Sequence, residues 1–149
     1  MNTLRSLLLV EDNPNDVELT LTALREANLA NEIVVKNDGE QALDYLFRRG
    51  SHASRTGGQP AVILLDLKMP KIDGHEVLRQ IRAHPDLRLI PVVVLTSSRE
   101  EKDLYESYDH GANAYVVKPV DFEEFIAAIS KLGVFWALLN EPPPRKGVT

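Results

Sequence analysis

Short apolar runs alternate along the chain with segments of helical spacing. The clearest run is Ala61–Leu65, which leads without a break into Asp66 and then into the turn Lys68-Met69-Pro70. An all-apolar run of this length predicts a strand, Val62–Leu65, buried on both faces, as parallel strands are. Leu4–Val10, Ile33–Val35, Pro91–Leu95 and Ala114–Val117 predict four further strands.

Helices are predicted between them. Pro14 follows Asn13 as a helix start, and Val17, Leu21 and Leu24 recur at helical spacing to about Asn28. Asp38-Gly39 opens a second helix with Ala42, Leu43 and Leu46 inward. Asp73-Gly74 opens a third, with Val77, Leu78 and Ile81 inward and His84-Pro85 as its stop. A fourth is expected over about Arg99–Asp109, with Gly111 suited to its C-cap. Asp121 and Glu124 resemble a capping box for a fifth, whose stripe is Phe122, Phe125, Ile126, Ile129 and Leu132. Arg48–Pro60 is polar and rich in glycine, and reads as a long, mobile surface loop.

Five β-α units predict an α/β fold: a doubly wound, five-stranded parallel sheet with helices on both faces. The commonest such solution is the flavodoxin-like order 2-1-3-4-5.

Composition narrows the function classes. The chain has 149 residues, 44% hydrophobic and 26% charged, enough for one domain with a sizeable core. A net charge of −5 without a basic block argues against nucleic acid and anionic membrane as partners. The absence of cysteine excludes disulfides and thiolate-held metals. No apolar run approaches a membrane span of about 20 residues, and Leu7–Val10 is too short for a signal segment. A cytoplasmic location is the expectation.

Candidate chemistry lies at the strand ends. The first strand ends at Glu11 and Asp12, the third at Asp66, the fourth at Thr96 and the fifth at Lys118. In the order 2-1-3-4-5 these ends are neighbours, where open α/β sheets bind their ligands. Clustered carboxylates repel unless a cation joins them, and Mg²⁺ suits an all-oxygen set. A carboxylate nucleophile, a metal and donors for phosphoryl oxygens make a site for phosphoryl transfer. Taken singly, each residue has a plainer role. Glu11-Asp12 would be helix-start acids, Thr96 a cap, Lys118 a solvated lysine and Tyr115 a half-buried strand aromatic. His52, His75, His84 and His110 share no metal-ligand spacing.

Five pieces in order carry a resemblance to a family. They are Leu9-Val10-Glu11-Asp12-Asn13, Leu64-Leu65-Asp66-Leu67-Lys68-Met69-Pro70, Asp73-Gly74, Val94-Leu95-Thr96-Ser97, and Gly111 through Pro119. The chain resembles the receiver domain of two-component response regulators. That resemblance implies Asp66 as the phosphoacceptor. It implies Mg²⁺ held by Glu11 (through water), Asp12, Asp66 and the backbone carbonyl of Lys68. Thr96 and Lys118 would contact the phosphoryl group, and Tyr115 falls at the aromatic switch position. The donor would be a sensor histidine kinase or a small phosphodonor such as acetyl phosphate.

The resemblance covers about Ser6 to Leu132, so residues 1–132 are expected to form the receiver. Residues 133–149 form an extension, a continued helix and then a Pro-rich tail, too short for an output domain. Phe135, Trp136, Leu138 and Leu139 form an apolar tail that either folds back onto its own domain or, as the expectation taken forward, makes a homodimer through helix five and this segment. The long second loop and the Phe-Trp tail resemble the small regulators paired with bacterial phytochromes. Two other functions compete. A haloacid dehalogenase-type phosphatase also uses a strand-end Asp, but the second Asp it generally carries two residues on is here Lys68. A pseudo-receiver that only binds partners would not need Asp12, Asp66, Thr96 and Lys118 intact. The expected protein is a switch and not an enzyme.

Overall fold

A computed structural model describes residues 6–27, 32–69, 71–96, 109, 111–118, 123 and 127, with the side chain of Thr96 excepted. Five strands form one parallel sheet: β1 (Ser6–Val10), β2 (Glu32–Lys36), β3 (Val62–Asp66), β4 (Val92–Thr96) and β5 (Ala114–Val117). Their order is β2-β1-β3-β4-β5, the commonest doubly wound solution for five strands. Three helices are described: α1 (Pro14–Ala27), α2 (Gly39–Phe47) and α3 (Gly74–Ala83). The expected fourth and fifth helices and the tail lie outside the described residues.

Alternation along each strand divides the core in two. Leu8, Val10, Ile63, Leu65, Val92 and Val94 face α2 and α3, joined by Ala42, Leu43, Val77, Leu78 and Ile81. Leu7, Leu9, Val62, Leu64, Val93 and Val116 pack with Leu24, Val17 and Leu21 of α1 on the other face. All six core residues named on the first face of the sheet are fully buried. Both faces being covered is why the runs are apolar throughout. Among the described residues, no helix is long and apolar enough to cross a membrane.

Caps set where the helices begin. The Asp38 carboxylate accepts from the Gln41 N–H at 2.8 Å, and the Asp73 carboxylate from the Glu76 N–H at 3.0 Å. Asn13 caps α1, its side-chain oxygen accepting from the N–H groups of Asn15 and Asp16 at 2.9 and 3.2 Å.

At the amino ends of β4 and β5 one side chain ties three segments together. From α3, Arg82 donates to the carbonyls of Gly111, Arg88 and Ile90 at 2.9, 3.0 and 2.7 Å, and to Asn113 Oδ1 at 2.7 Å. Asn113 Oδ1 also accepts from the Val92 N–H at 2.9 Å. Burial pulls the Arg82 guanidinium below its ordinary range, and these acceptors compensate.

The segment after α2, expected to be mobile, is instead tied down. It contains a 3₁₀ turn, Gly50–His52. Arg55 stacks over the Tyr45 ring at 4.0 Å and donates to the Tyr45 carbonyl at 2.9 Å and to Gln59 at 2.6 Å. Gln59 donates back to the Leu46 carbonyl at 2.9 Å. A planar guanidinium serving backbone carbonyls gives a glycine-rich loop a fixed shape.

Candidate functional site

The alternation that sorts the core also builds the site. Glu11 continues the parity of Leu7 and Leu9, Asp66 that of Val62 and Leu64, and Lys118 that of Ala114 and Val116. All three therefore reach the α1 face at the carboxyl ends of neighbouring strands. Glu11 and Asp66 are buried, at 0% and 4% exposure, while Asp12 is exposed. Carboxylate oxygens of Glu11, Asp12 and Asp66 lie within 4.8 Å of one another.

Lys118 is the cation of the cluster. Its ammonium is 2.7 Å from Glu11 Oε1 and 3.5 Å from Asp66 Oδ1. A third partner comes from the first turn of α1: Lys118 donates to Asp16 Oδ2 at 2.9 Å. The contact with Glu11 Oε1 is an ion pair at an angle short of a hydrogen bond. The other oxygen, Oε2, accepts from the Asn13 N–H at 3.2 Å. Sequence reasoning missed Asp16, since a first-turn acid normally signals only the helix dipole.

Electrostatics match this packing. Burial first, and then the charge of Glu11, pushes the Asp66 carboxyl up to about 7; Lys118 and the Lys68 backbone N–H only partly offset them. Burial works against the Lys118 charge, but Asp16, Glu11 and Asp66 together hold its ammonium above the ordinary lysine range. Glu11, Asp16 and Asp66 around one ammonium, with Asp12 beside Glu11 and Asp66, leave an anionic cluster. An all-oxygen donor set of this kind fits a hard divalent cation, which would balance the excess charge. Glu11, Asp12 and Asp66 thus fit the expected metal set.

The loop after β3 is held close to α3. Gly74 donates its N–H to the Leu67 carbonyl at 2.8 Å. A Cβ on Gly74 would overlap the Asp66 carbonyl oxygen and come within 2.6 Å of Leu67 Cα, so only glycine lets the helix start this near the site. Tyr115 pairs with Val94 in the β4–β5 register and packs, half-buried, against the α2–α3 side of the core. It therefore sits on the face opposite the carboxylates. The Thr96 hydroxyl, expected at the site, lies outside the described residues.

Comparisons with known proteins agree with this geometry. The family described as response regulator receiver domain matches residues 7–130. The bacteriophytochrome response regulator AtBRR is 64% identical with a TM-score of 0.84, covering 94% of this chain and 100% of its own. For the bacteriophytochrome response regulator RtBRR the values are 60% and 0.84, over 95% and 86%. Response regulator Rcp1 of Synechocystis sp. is 36% identical over 91% of this chain and 90% of its own. The Mn²⁺-bound form of Rcp1 superposes with a TM-score of 0.75 at 35% identity, over 95% and 99% of the two chains. With its sheet order, its strand-end carboxylates and this match over most of its length, the chain belongs to the response regulator receiver domain family.

Proposed function

We propose that this response regulator is a phosphorylation-controlled switch, in which Asp66 accepts a phosphoryl group and thereby changes a partner-binding surface. The observation that carries the reading is the buried Asp66 carboxylate, set 3.5 Å from the Lys118 ammonium within one cluster with Glu11 and Asp12. Asp66 is the nucleophile: a carboxylate oxygen attacks phosphorus, the P–O bond to the donor breaks, and the donor leaves with that electron pair. The Lys118 ammonium faces the phosphoryl oxygens and offsets their charge as the bond forms. Thr96 is assigned a hydrogen bond to one of them.

Glu11, Asp12, Asp66 and the Lys68 carbonyl would hold Mg²⁺. The ion, when bound, neutralises charge on both reactants. The likeness to Mn²⁺-bound Rcp1 supports a divalent cation here.

An aspartyl phosphate carries about −2 charge where a single carboxylate stood. Lys118 and Thr96 then shift toward it and move the loops after β4 and β5. Tyr115 follows as the aromatic switch, biasing a two-state surface around helix four, β5 and helix five. The chain acts as phosphoacceptor and not as an enzyme with a separate substrate. Its partner is a sensor histidine kinase, and likeness to two bacteriophytochrome regulators favours one of phytochrome type. Residues 1–132 form the receiver and 133–149 the extension. The setting is cytoplasmic, with no nucleic-acid or membrane surface used.

Incubation with acetyl phosphate and Mg²⁺ should add one phosphate, detected by mass. EDTA should block the addition, and Asp12→Ala should slow it at least about tenfold, because the metal is then poorly held. Undiminished addition in EDTA removes the metal from the reading. Sustained turnover of p-nitrophenyl phosphate would instead favour a phosphatase.

The apolar tail motivates a homodimer through helix five and residues 133–139. Light scattering should report about twice the 16.7 kDa chain mass. Trp136→Ala should reduce it; a monomer at high concentration, with and without phosphate, rules the dimer out.

A further inference from the structure

We propose that Asp16 is a positioning residue for Lys118, a competing anchor that must release the ammonium before it can serve a phosphoryl group on Asp66. This rests on the phosphoacceptor reading above. Asp16 has no part in the metal set, the nucleophile or the phosphoryl contacts of that reading, yet it is closer to Lys118 than Asp66 is, 2.9 Å against 3.5 Å. An ammonium has three N–H donors, and Glu11, Asp16 and Asp66 already surround it. Of these contacts only the one to Asp16 is a hydrogen bond, so Asp16 fixes where the ammonium sits, and drawing it toward a phosphoryl group on Asp66 breaks that bond.

Solvent decides which acceptor gives way. Side-chain exposure is 1% at Glu11, 5% at Asp66 and 27% at Asp16. Water can replace the lost hydrogen bond at Asp16, whereas an abandoned buried carboxylate would carry its full desolvation cost. Lys118 itself is 11% exposed, so it moves within the cluster and does not swing out to solvent.

Asp16 is in a fixed place to act this way. Its N–H is held by the Asn13 cap at 3.2 Å, in the first turn of α1. Exchange of Lys118 from Asp16 to the phosphoryl oxygens uncovers a negative charge at the start of α1. The event at Asp66 is thereby linked to α1 as well as to the loops after β4 and β5. The extra anchor also slows the reaction, since part of the ammonium's contact is spent on Asp16 in the resting chain.

The test is a double-mutant cycle on the full chain, reading the rate of phosphate addition from acetyl phosphate at saturating Mg²⁺. Asp16→Asn should raise the rate about three- to tenfold, as expected for loss of a partly buried ion pair. Asp16→Glu, which keeps the carboxylate, should stay near the parent. In a Lys118→Ala background Asp16→Asn should have little effect, because nothing remains to be released. A general charge effect, or a structural role of Asp16 in α1, would change the rate by the same factor in both backgrounds. Equal factors, or an unchanged rate in Asp16→Asn with normal addition to Asp66, overturn the anchor and leave the phosphoacceptor reading standing. A parent chain that takes no phosphate on Asp66 overturns both.

Discussion

Asp66→Asn should take up no phosphate and yet be the more stable protein at pH 8 in EDTA. The first half follows from loss of the nucleophile, since an amide oxygen cannot form the acyl phosphate. Phosphate on another residue of the variant would remove Asp66 from its role. The second half follows from the charge cluster. The Asp66 carboxyl is raised from 3.8 to about 7, by burial first and by Glu11 next. A carboxyl raised by folding contributes stability that is fully present below its unfolded value and lost as pH rises through its folded value. Without metal, the parent should therefore lose about 2–4 kcal/mol between pH 4 and pH 8, a figure that coupling to Lys118 and local relaxation can only reduce. The asparagine variant should show a flatter profile. Urea unfolding at pH 5 and pH 8 in EDTA checks this; a variant less stable than the parent at pH 8 contradicts it. Mg²⁺ should raise the stability of the parent far more than that of the variant.

Gly74→Ala should damage both fold and site. Its Cβ meets backbone, the Asp66 carbonyl and Leu67 Cα, which no change of rotamer can move. Either α3 backs away from the sheet or the loop after β3 shifts. Overpacking of this kind costs about 3 kcal/mol. A shift of about 1 Å at Asp66 would also slow phosphate addition by about 100-fold. The control is Gly58→Ala, where a Cβ meets nothing within 4 Å. Urea unfolding and the acetyl phosphate assay on both variants make the comparison. A Gly74→Ala chain with parental stability and rate would show that the close approach is not required.

The sheet and most of the site were legible in the sequence because each rests on a short-range signal. Five apolar runs ending at polar residues give the strands, and Asp38 and Asp73 before glycine give two helix starts. The order 2-1-3-4-5, which the sequence does not itself give but which is the commonest for five such strands, then brings Glu11, Asp12, Asp66 and Lys118 together. What stayed hidden depends on long side chains that reach across elements. Asp16 and Lys118 are 102 residues apart, and neither spacing nor residue type announces their contact. Arg55 likewise orders a loop that composition alone marks as mobile, by donating to carbonyls that have no sequence signature. Strand ends differ from expectation by a residue or so, as at Val92–Thr96 against Pro91–Leu95, since hydrogen bonding outlasts the apolar run.

Arg82 protects the chemistry from a distance. By fastening Gly111 and Asn113 to the residues that lead into β4, it fixes which residue of β5 lies beside which of β4, Ala114 beside Val93 and Tyr115 beside Val94. A slip of one residue would turn every β5 side chain to the opposite face. Lys118 would then point away from Glu11, Asp66 and the start of α1, and Tyr115 would turn to the α1 side of the sheet. The guanidinium at the far end of the sheet thus acts as a frame marker: it decides which residues of β5 count as chemistry and which as core.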